Sequence, residues 1–254
     1  MQCQTPAPVG VLCPECVSRT QATPPSRSWA PRIRWGTDAP VVTYTLIALN
    51  ALVYLLQWIP GLNLTNALAY APFYSFGEYG QVGAPYEPWR MLTSIFTHST
   101  GFVFHILLNM YTLWIFGQIL ERMLGRGRFL ALYLIAGLAG SLGVMFWAQH
   151  DTFVVGASGA IFGLLGAFIV IQRKLGGDTT QLFILVAINL VIGFLPGMSV
   201  AWQAHLGGLI GGVAVGLVYV QTRSRNQKAL QIGLITAIAV ALMVLSFSHA
   251  PAFV

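Results

Sequence analysis

Four polar residues stand in otherwise apolar runs and are of types that do chemistry: His105, Asn109, Ser158 and His205. Polar and ionisable groups inside a membrane span are costly, so each needs an account. A serine hydroxyl is a poor nucleophile until a base takes its proton, and the bases at hand are His105 and His205. Ser158 sits in Gly156-Ala-Ser-Gly159, with a small residue on each side. Small neighbours let a substrate backbone approach. A helix beginning there leaves backbone N–H groups free, and these can stabilise an oxyanion. His105 and Asn109 are four residues apart, share one helix face, and can both donate to the same oxygen. That leaves His205 as the better base. Gly208 and Gly212 follow it in the small-xxx-small spacing that lets two helices approach closely. Such packing would bring His205 to Ser158.

These residues need helices to position them, and the apolar runs supply seven: about 41–59, 102–120, 129–149, 153–171, 181–195, 200–221 and 230–248. Each approaches the ~20 residues that cross a ~30 Å hydrocarbon layer, the fifth being short. Lys and Arg concentrate in cytoplasmic loops. Seven crossings place twelve of the thirteen cations on one side: Arg19, Arg27, Arg32, Arg34, Arg122, Arg126, Arg128, Arg173, Lys174, Arg223, Arg225 and Lys228. The exception is Arg90. The expected topology has a cytoplasmic N-terminus and an extracellular C-terminus. Spans 2, 4 and 6 then run from outside to inside, and His105, Ser158 and His205 each lie a few residues into one of them. At ~1.5 Å per residue they share a layer roughly 5–8 Å below the outer boundary.

Composition agrees. Hydrophobic residues make up 56% and charged residues 8%, against roughly 25% charged in soluble domains. A soluble enzyme, a nucleic-acid reader and a disordered chain are excluded. The cations are spread between apolar runs rather than gathered into a nucleic-acid patch. Residues 1–40 form a tail without the apolar core of a signal peptide, and the tail is expected to be retained. Its Cys13-Pro-Glu-Cys16 has the spacing of half a zinc knuckle. A structural zinc site needs four ligands, and only Cys3 can join these two. The alternative is a tail with free thiols or an incomplete metal site. Residues 60–100 form a long outer loop, rich in Gly, Pro and aromatics, without obvious regular structure. Loops of this length are often functional, and its rings suit the headgroup region. His98 and His150 read as solvated loop residues.

Each motif alone also has a plain structural reading. Gly-x-Ser-Gly and Gly-xxx-Gly are helix-packing patterns, and a lone intramembrane histidine is often a bonded structural group. The combination resembles the rhomboid family of intramembrane serine proteases. The residues that carry the likeness are Gly156-Ala-Ser-Gly-Ala-Ile-Phe-Gly163, Ala204-His205-Leu-Gly-Gly208 with Gly212, and His105-xxx-Asn109. Glu87-Pro-Trp89-Arg90 resembles the family's Trp-Arg motif. Glu121 to Arg128, leading into Phe129-Leu-x-Leu-Tyr133, resembles its connection between spans 2 and 3.

The resemblance implies an all-α membrane protein with a six-helix rhomboid core over 41–222. The linker and seventh transmembrane helix over 223–254 would be an addition. It implies Ser158 as nucleophile and His205 as general base, without a carboxylate. It further implies an oxyanion hole of His105, Asn109 and the Ser158 N–H, with Phe162 packed on the His205 ring. Gly156 and Gly159 would border the substrate pocket, and Trp89 and Arg90 would anchor the outer loop in the interface. The tail cysteines resemble the end of a zinc-knuckle module found before some bacterial members. The expected activity is endoproteolysis of transmembrane segments of membrane-protein substrates near the outer face of a bacterial plasma membrane, with no cofactor. Three rivals fare worse. An inactive scaffold would not keep these four residues, a transporter predicts repeats that are absent, and a zinc protease needs a His-Glu-xx-His helix.

Overall fold

The computed structural model describes residues 5–6, 11–12, 39–76, 86–193 and 200–247. The chain divides into two units, Met1–Ile33 and Arg34–Val254. The first holds a two-residue antiparallel pair, β1 (Thr5–Pro6) with β2 (Val11–Leu12), Thr5 opposite Leu12. Apart from this pair and a single-residue bridge, the regular structure among the described residues is helical, and the all-α expectation holds. Cys3, Cys13 and Cys16 lie outside the described residues, and with them the zinc expectation.

The second unit is helical. In chain order it comprises α1 (Val41–Gln57), α2 (Leu64–Leu68), α3 (Arg90–Thr93), α4 (Val103–Leu124), α5 (Arg126–Trp147), α6 (Ser158–Lys174), α7 (Thr180–Ile192), α8 (Trp202–Gln221) and α9 (Lys228–Phe247). α4, α5, α8 and α9 with its leading turn are long and apolar enough to cross a membrane. α1 and α6 have 17 residues each and α7 has 13, so the first two reach the lower end of the usual spanning length. Each of the seven long runs seen in the sequence thus contains a helix.

Burial sorts them. The apolar window of α5 is 78% buried and that of α9 only 11%, so α5 is the core helix and α9 lies on the outside of the bundle. α6 packs along both α5 and α8. A methyl group at Gly208 would lie 1.9 Å from Gly159 O, and one at Gly212 would lie 2.0 Å from Gly163 O. Only glycine admits this approach of two backbones, which replaces side-chain interdigitation with direct van der Waals contact.

Three boundaries differ from expectation: the end of α4, the start of α5 and the start of α6. α4 and α5 meet at the single residue Gly125, with φ +84°, so Arg122, Arg126 and Arg128 lie on helices and not in a loop. Glu121 caps the start of α1 across this junction. Its carboxylate accepts from Val42 N–H at 2.9 Å, from Thr43 N–H at 2.7 Å and from the Thr43 hydroxyl at 2.7 Å. An anion there satisfies donors that the helix cannot use and complements its dipole. The fourth run does not begin as a helix at 153. Val154 pairs with Tyr70 in a short bridge, and Gly156 takes φ +120° and donates to Ser94 O at 3.0 Å. Ser158 is therefore the first residue of α6 rather than the sixth of a longer one.

The 60–100 segment is also more regular than expected. Its described residues contain α2, α3 and two 3₁₀ turns, Pro72–Ser75 and Ser94–Phe96. Tyr70 and Met91 are fully buried against Leu138, Leu142, Val144 and Val154. Ser141 Oγ reaches over from α5 to donate to Met91 O at 2.7 Å.

Candidate active site

Three helices supply the polar groups from their first turns. Ser158 opens α6, His205 is in the first turn of α8, and His105 is in the first turn of α4. The N–H groups of the first turn of α6 have no intrahelical acceptor, the first such bond being Ile161 N–H to Ala157 O at 3.0 Å. Ser158 Oγ and His205 Nε2 are 3.0 Å apart. The His205 ring stacks on Phe162, one turn along α6, with centroids 4.1 Å apart and planes 10° apart. Such stacking restricts the ring's rotation without adding charge. The imidazole is 7% exposed, and its Nδ1 has no hydrogen-bond partner among the described residues. Among the described residues no carboxylate hydrogen-bonds this pair.

The second histidine is held in one tautomer. Ser99 N–H donates to His105 Nδ1 at 3.1 Å, so Nδ1 is the acceptor and Nε2 carries the proton. His105 Nε2 lies over Gly156, where a methyl group would be 2.8 Å from it. An N–H donor thus faces the segment leading into Ser158, and Gly156 is required both by this contact and by its positive φ. Asn109, one turn further along α4, is buried. One of its amide hydrogens goes to His105 O at 2.7 Å, leaving the other free, and its Oδ1 is unpartnered. The structure brings Ser158, His205, His105, Phe162 and Gly156 of the sequence-derived set together where α4, α6 and α8 begin, with Gly159 next to Ser158 and Asn109 one turn beyond His105 on α4.

Trp89 and Arg90 lie apart from this centre. Arg90 is 8% exposed, and its guanidinium donates to Asn66 O at 2.5 Å and to Ala69 O at 3.2 Å. It also pairs with Glu87 and lies 4.0 Å from the centre of the Tyr74 ring. Its role in the geometry is to tie α2 and the 3₁₀ turn to α3, while Trp89 is exposed.

His98 corrects the sequence reading. It is fully buried, not solvated. Its Nε2 bonds Asn50 Oδ1 at 2.9 Å, and its ring meets His105 edge-on with centroids 5.2 Å apart. Burial, and then the neighbouring His105, push its pKa down to about 3, so it is neutral at any working pH. His150 is exposed, as expected. Asn50 and Gln57 were overlooked. The available signal was a polar side chain within the apolar run of α1, the same criterion that drew attention to Asn109. Among the described residues no group of three or more His, Cys, Asp or Glu is placed to hold a metal.

A serine hydroxyl and an imidazole in hydrogen-bond contact, at the heads of apolar helices, match the arrangement of a serine hydrolase site within a helical bundle. Comparison with known proteins agrees. A family model described as the rhomboid domain matches residues 85–222. The rhomboid protease GluP of Bacillus subtilis (strain 168) is 38% identical over 178 residues, which is 68% of this chain and 34% of that protein. YdcA of the same strain is 35% identical over 192 residues, 74% of this chain and 92% of YdcA. The rhomboid protease AarA of Providencia stuartii is 28% identical over 218 residues, covering 74% of this chain and 76% of AarA. The chain belongs to the rhomboid family of serine-type intramembrane endopeptidases.

Proposed function

We propose that this chain cleaves transmembrane segments of membrane proteins with a Ser158–His205 dyad. The observation that carries the reading is the 3.0 Å contact between Ser158 Oγ and His205 Nε2, with the imidazole stacked on Phe162. Ser158 Oγ attacks the scissile carbonyl carbon while His205 Nε2 takes the hydroxyl proton. His205 Nδ1 carries the ring's other proton throughout. The carbonyl oxygen becomes an oxyanion, and three kinds of donor converge on it: the Ser158 N–H, His105 Nε2–H and the free N–H of Asn109. Collapse breaks the C–N bond, and His205 gives its proton to the departing amine. Water then attacks the acyl-enzyme with His205 again as base, releasing the acid and restoring Ser158. The neighbourhood of Gly156 and Gly159 favours a small residue before the cut. A substrate helix must unwind to present its carbonyl, so helix-breaking residues near the cut mark a substrate.

Positive-inside counting supports a plasma-membrane orientation with a cytoplasmic N-terminus, an extracellular C-terminus and a site near the outer face. Trp89 and Arg90 belong at the headgroups in this arrangement. The core is 41–222, with 223–254 added and 1–40 as a tail. The test is cleavage of a membrane-anchored reporter with a Gly-containing transmembrane segment, coexpressed with the wild type, Ser158→Ala or His205→Ala. Product with the wild type alone supports the dyad, and full cleavage by Ser158→Ala refutes it.

A further inference from the structure

The orientation of His105 rests on one backbone group, the Ser99 N–H. What fixes Ser99 is a side chain on a different helix. Gln57, at the last turn of α1, holds the two peptides that flank the His98 Cα with its amide: Oε1 accepts from His98 N–H at 3.0 Å, and Nε2 donates to His98 O, on the peptide shared with Ser99, at 2.8 Å. The amide's second hydrogen goes to Thr65 Oγ1 at 2.8 Å, which sets the plane of the amide. One turn and three residues earlier on α1, Asn50 donates to Leu46 O at 2.7 Å and presents its Oδ1 to the His98 ring at 2.9 Å. Both the backbone and the ring of residue 98 are therefore clamped by α1, and residue 99 follows directly. The His98 carbonyl and the Ser99 N–H share one peptide plane, so turning that plane breaks the Gln57 bond and the His105 bond at once.

We propose that Gln57 is a positioning residue: by locking the His98–Ser99 peptide it aims the Ser99 N–H at His105 Nδ1, and so keeps His105 Nε2–H directed at the developing oxyanion. This rests on the oxyanion role proposed above for His105. Without the clamp the Ser99 N–H is free to swing away. The imidazole can then take the other tautomer, in which Nε2 has no proton to donate. The cost falls on the transition state and not on substrate binding, because the ground-state carbonyl draws little on that donor.

The test is a double-mutant cycle on the purified full chain in liposomes, reading kcat and KM with a quenched-fluorescent transmembrane peptide containing an Ala-Gly bond. His105→Ala alone is expected to lower kcat by roughly a hundredfold. Gln57→Met, of similar volume and without the amide, is expected to lower kcat by roughly tenfold with KM little changed. In the His105→Ala background, Gln57→Met is expected to change kcat by less than about twofold, because the donor it positions is gone. An equal loss in both backgrounds, a change in KM alone, or an unchanged kcat in Gln57→Met overturns the inference while leaving the oxyanion role intact. Full turnover by His105→Ala itself overturns the oxyanion role, and the inference with it. Should Gln57→Met fail to fold, Thr65→Val replaces it. That variant removes the acceptor that sets the amide plane and is expected to lower kcat about two- to threefold in the His105 background only. No effect there overturns the inference.

Discussion

Replacing Gly208 by alanine adds one methyl group to α8, and the structure says where it goes. Its Cβ would lie 1.9 Å from Gly159 O, whereas ordinary contact begins at 3.4 Å. The obstacle is backbone, which cannot rotate away, so α8 must retreat from α6 by about 1.5 Å. Gly208 is one turn below His205, and Gly159 is next to Ser158. A retreat of that size stretches the 3.0 Å dyad contact to about 4.5 Å, beyond hydrogen-bond range. A misplacement of ~1 Å at a reacting centre costs about a hundredfold in rate. Overpacking costs about 1–3 kcal/mol in stability, a loss that a helical bundle can survive. The expectation is a folded protein with turnover down by at least roughly a hundredfold. The assay pairs peptide cleavage with thermal unfolding in detergent. Gly233→Ala is the control, because nothing lies within 4 Å of the methyl group it would add on α9. It should leave activity unchanged and alter stability by no more than about 1 kcal/mol. Wild-type turnover in Gly208→Ala refutes the claim that glycine contact between α6 and α8 sets the dyad distance.

Asn109→Ala and His105→Ala should each lower kcat more than they raise KM, by about 3 kcal/mol in the transition state or roughly a hundredfold; steady-state kinetics showing only a KM effect would assign both to substrate binding. Glu121→Gln keeps the shape but removes the charge from the three bonds that cap α1, and should lower stability by about 1–2 kcal/mol, with the dyad distance and probe reactivity preserved; an unchanged unfolding transition contradicts the cap. Sidedness is read with single cysteines in a background lacking Cys3, Cys13 and Cys16. Gly197→Cys should react with an impermeant thiol reagent added to intact cells, and Ser224→Cys only after lysis. The reverse pattern inverts the topology.

Much of the architecture was legible because membrane spans announce themselves by length and apolarity. The four central site residues were legible because polar groups in such spans are rare. Their assembly was readable from glycine spacing, since Gly208 and Gly212 have no purpose on a lipid-facing surface. Other features were not local and so left no local trace. The helix start at Ser158 depends on a bridge to Tyr70, more than eighty residues earlier in the chain. The apolar run through 153–157 looks the same whether it is extended or helical. His98 reads as solvated from its Ser-Thr-Gly surroundings, yet Asn50 and Gln57 of α1 bury it. The Arg122–Arg128 cluster looks like a loop because charges usually mark loops, but here one glycine with positive φ makes the corner and both helices run up to it.

The central claim is that Ser158 is a nucleophile activated by His205. Incubating the purified chain with a fluorophosphonate, followed by peptide mapping, tests it most directly, since phosphonylation needs an activated hydroxyl and no knowledge of the substrate. The account predicts one modified residue, Ser158, with labelling lost in His205→Ala while the protein remains folded. Labelling at another serine, or labelling of Ser158 that persists at the wild-type rate without His205, would contradict it.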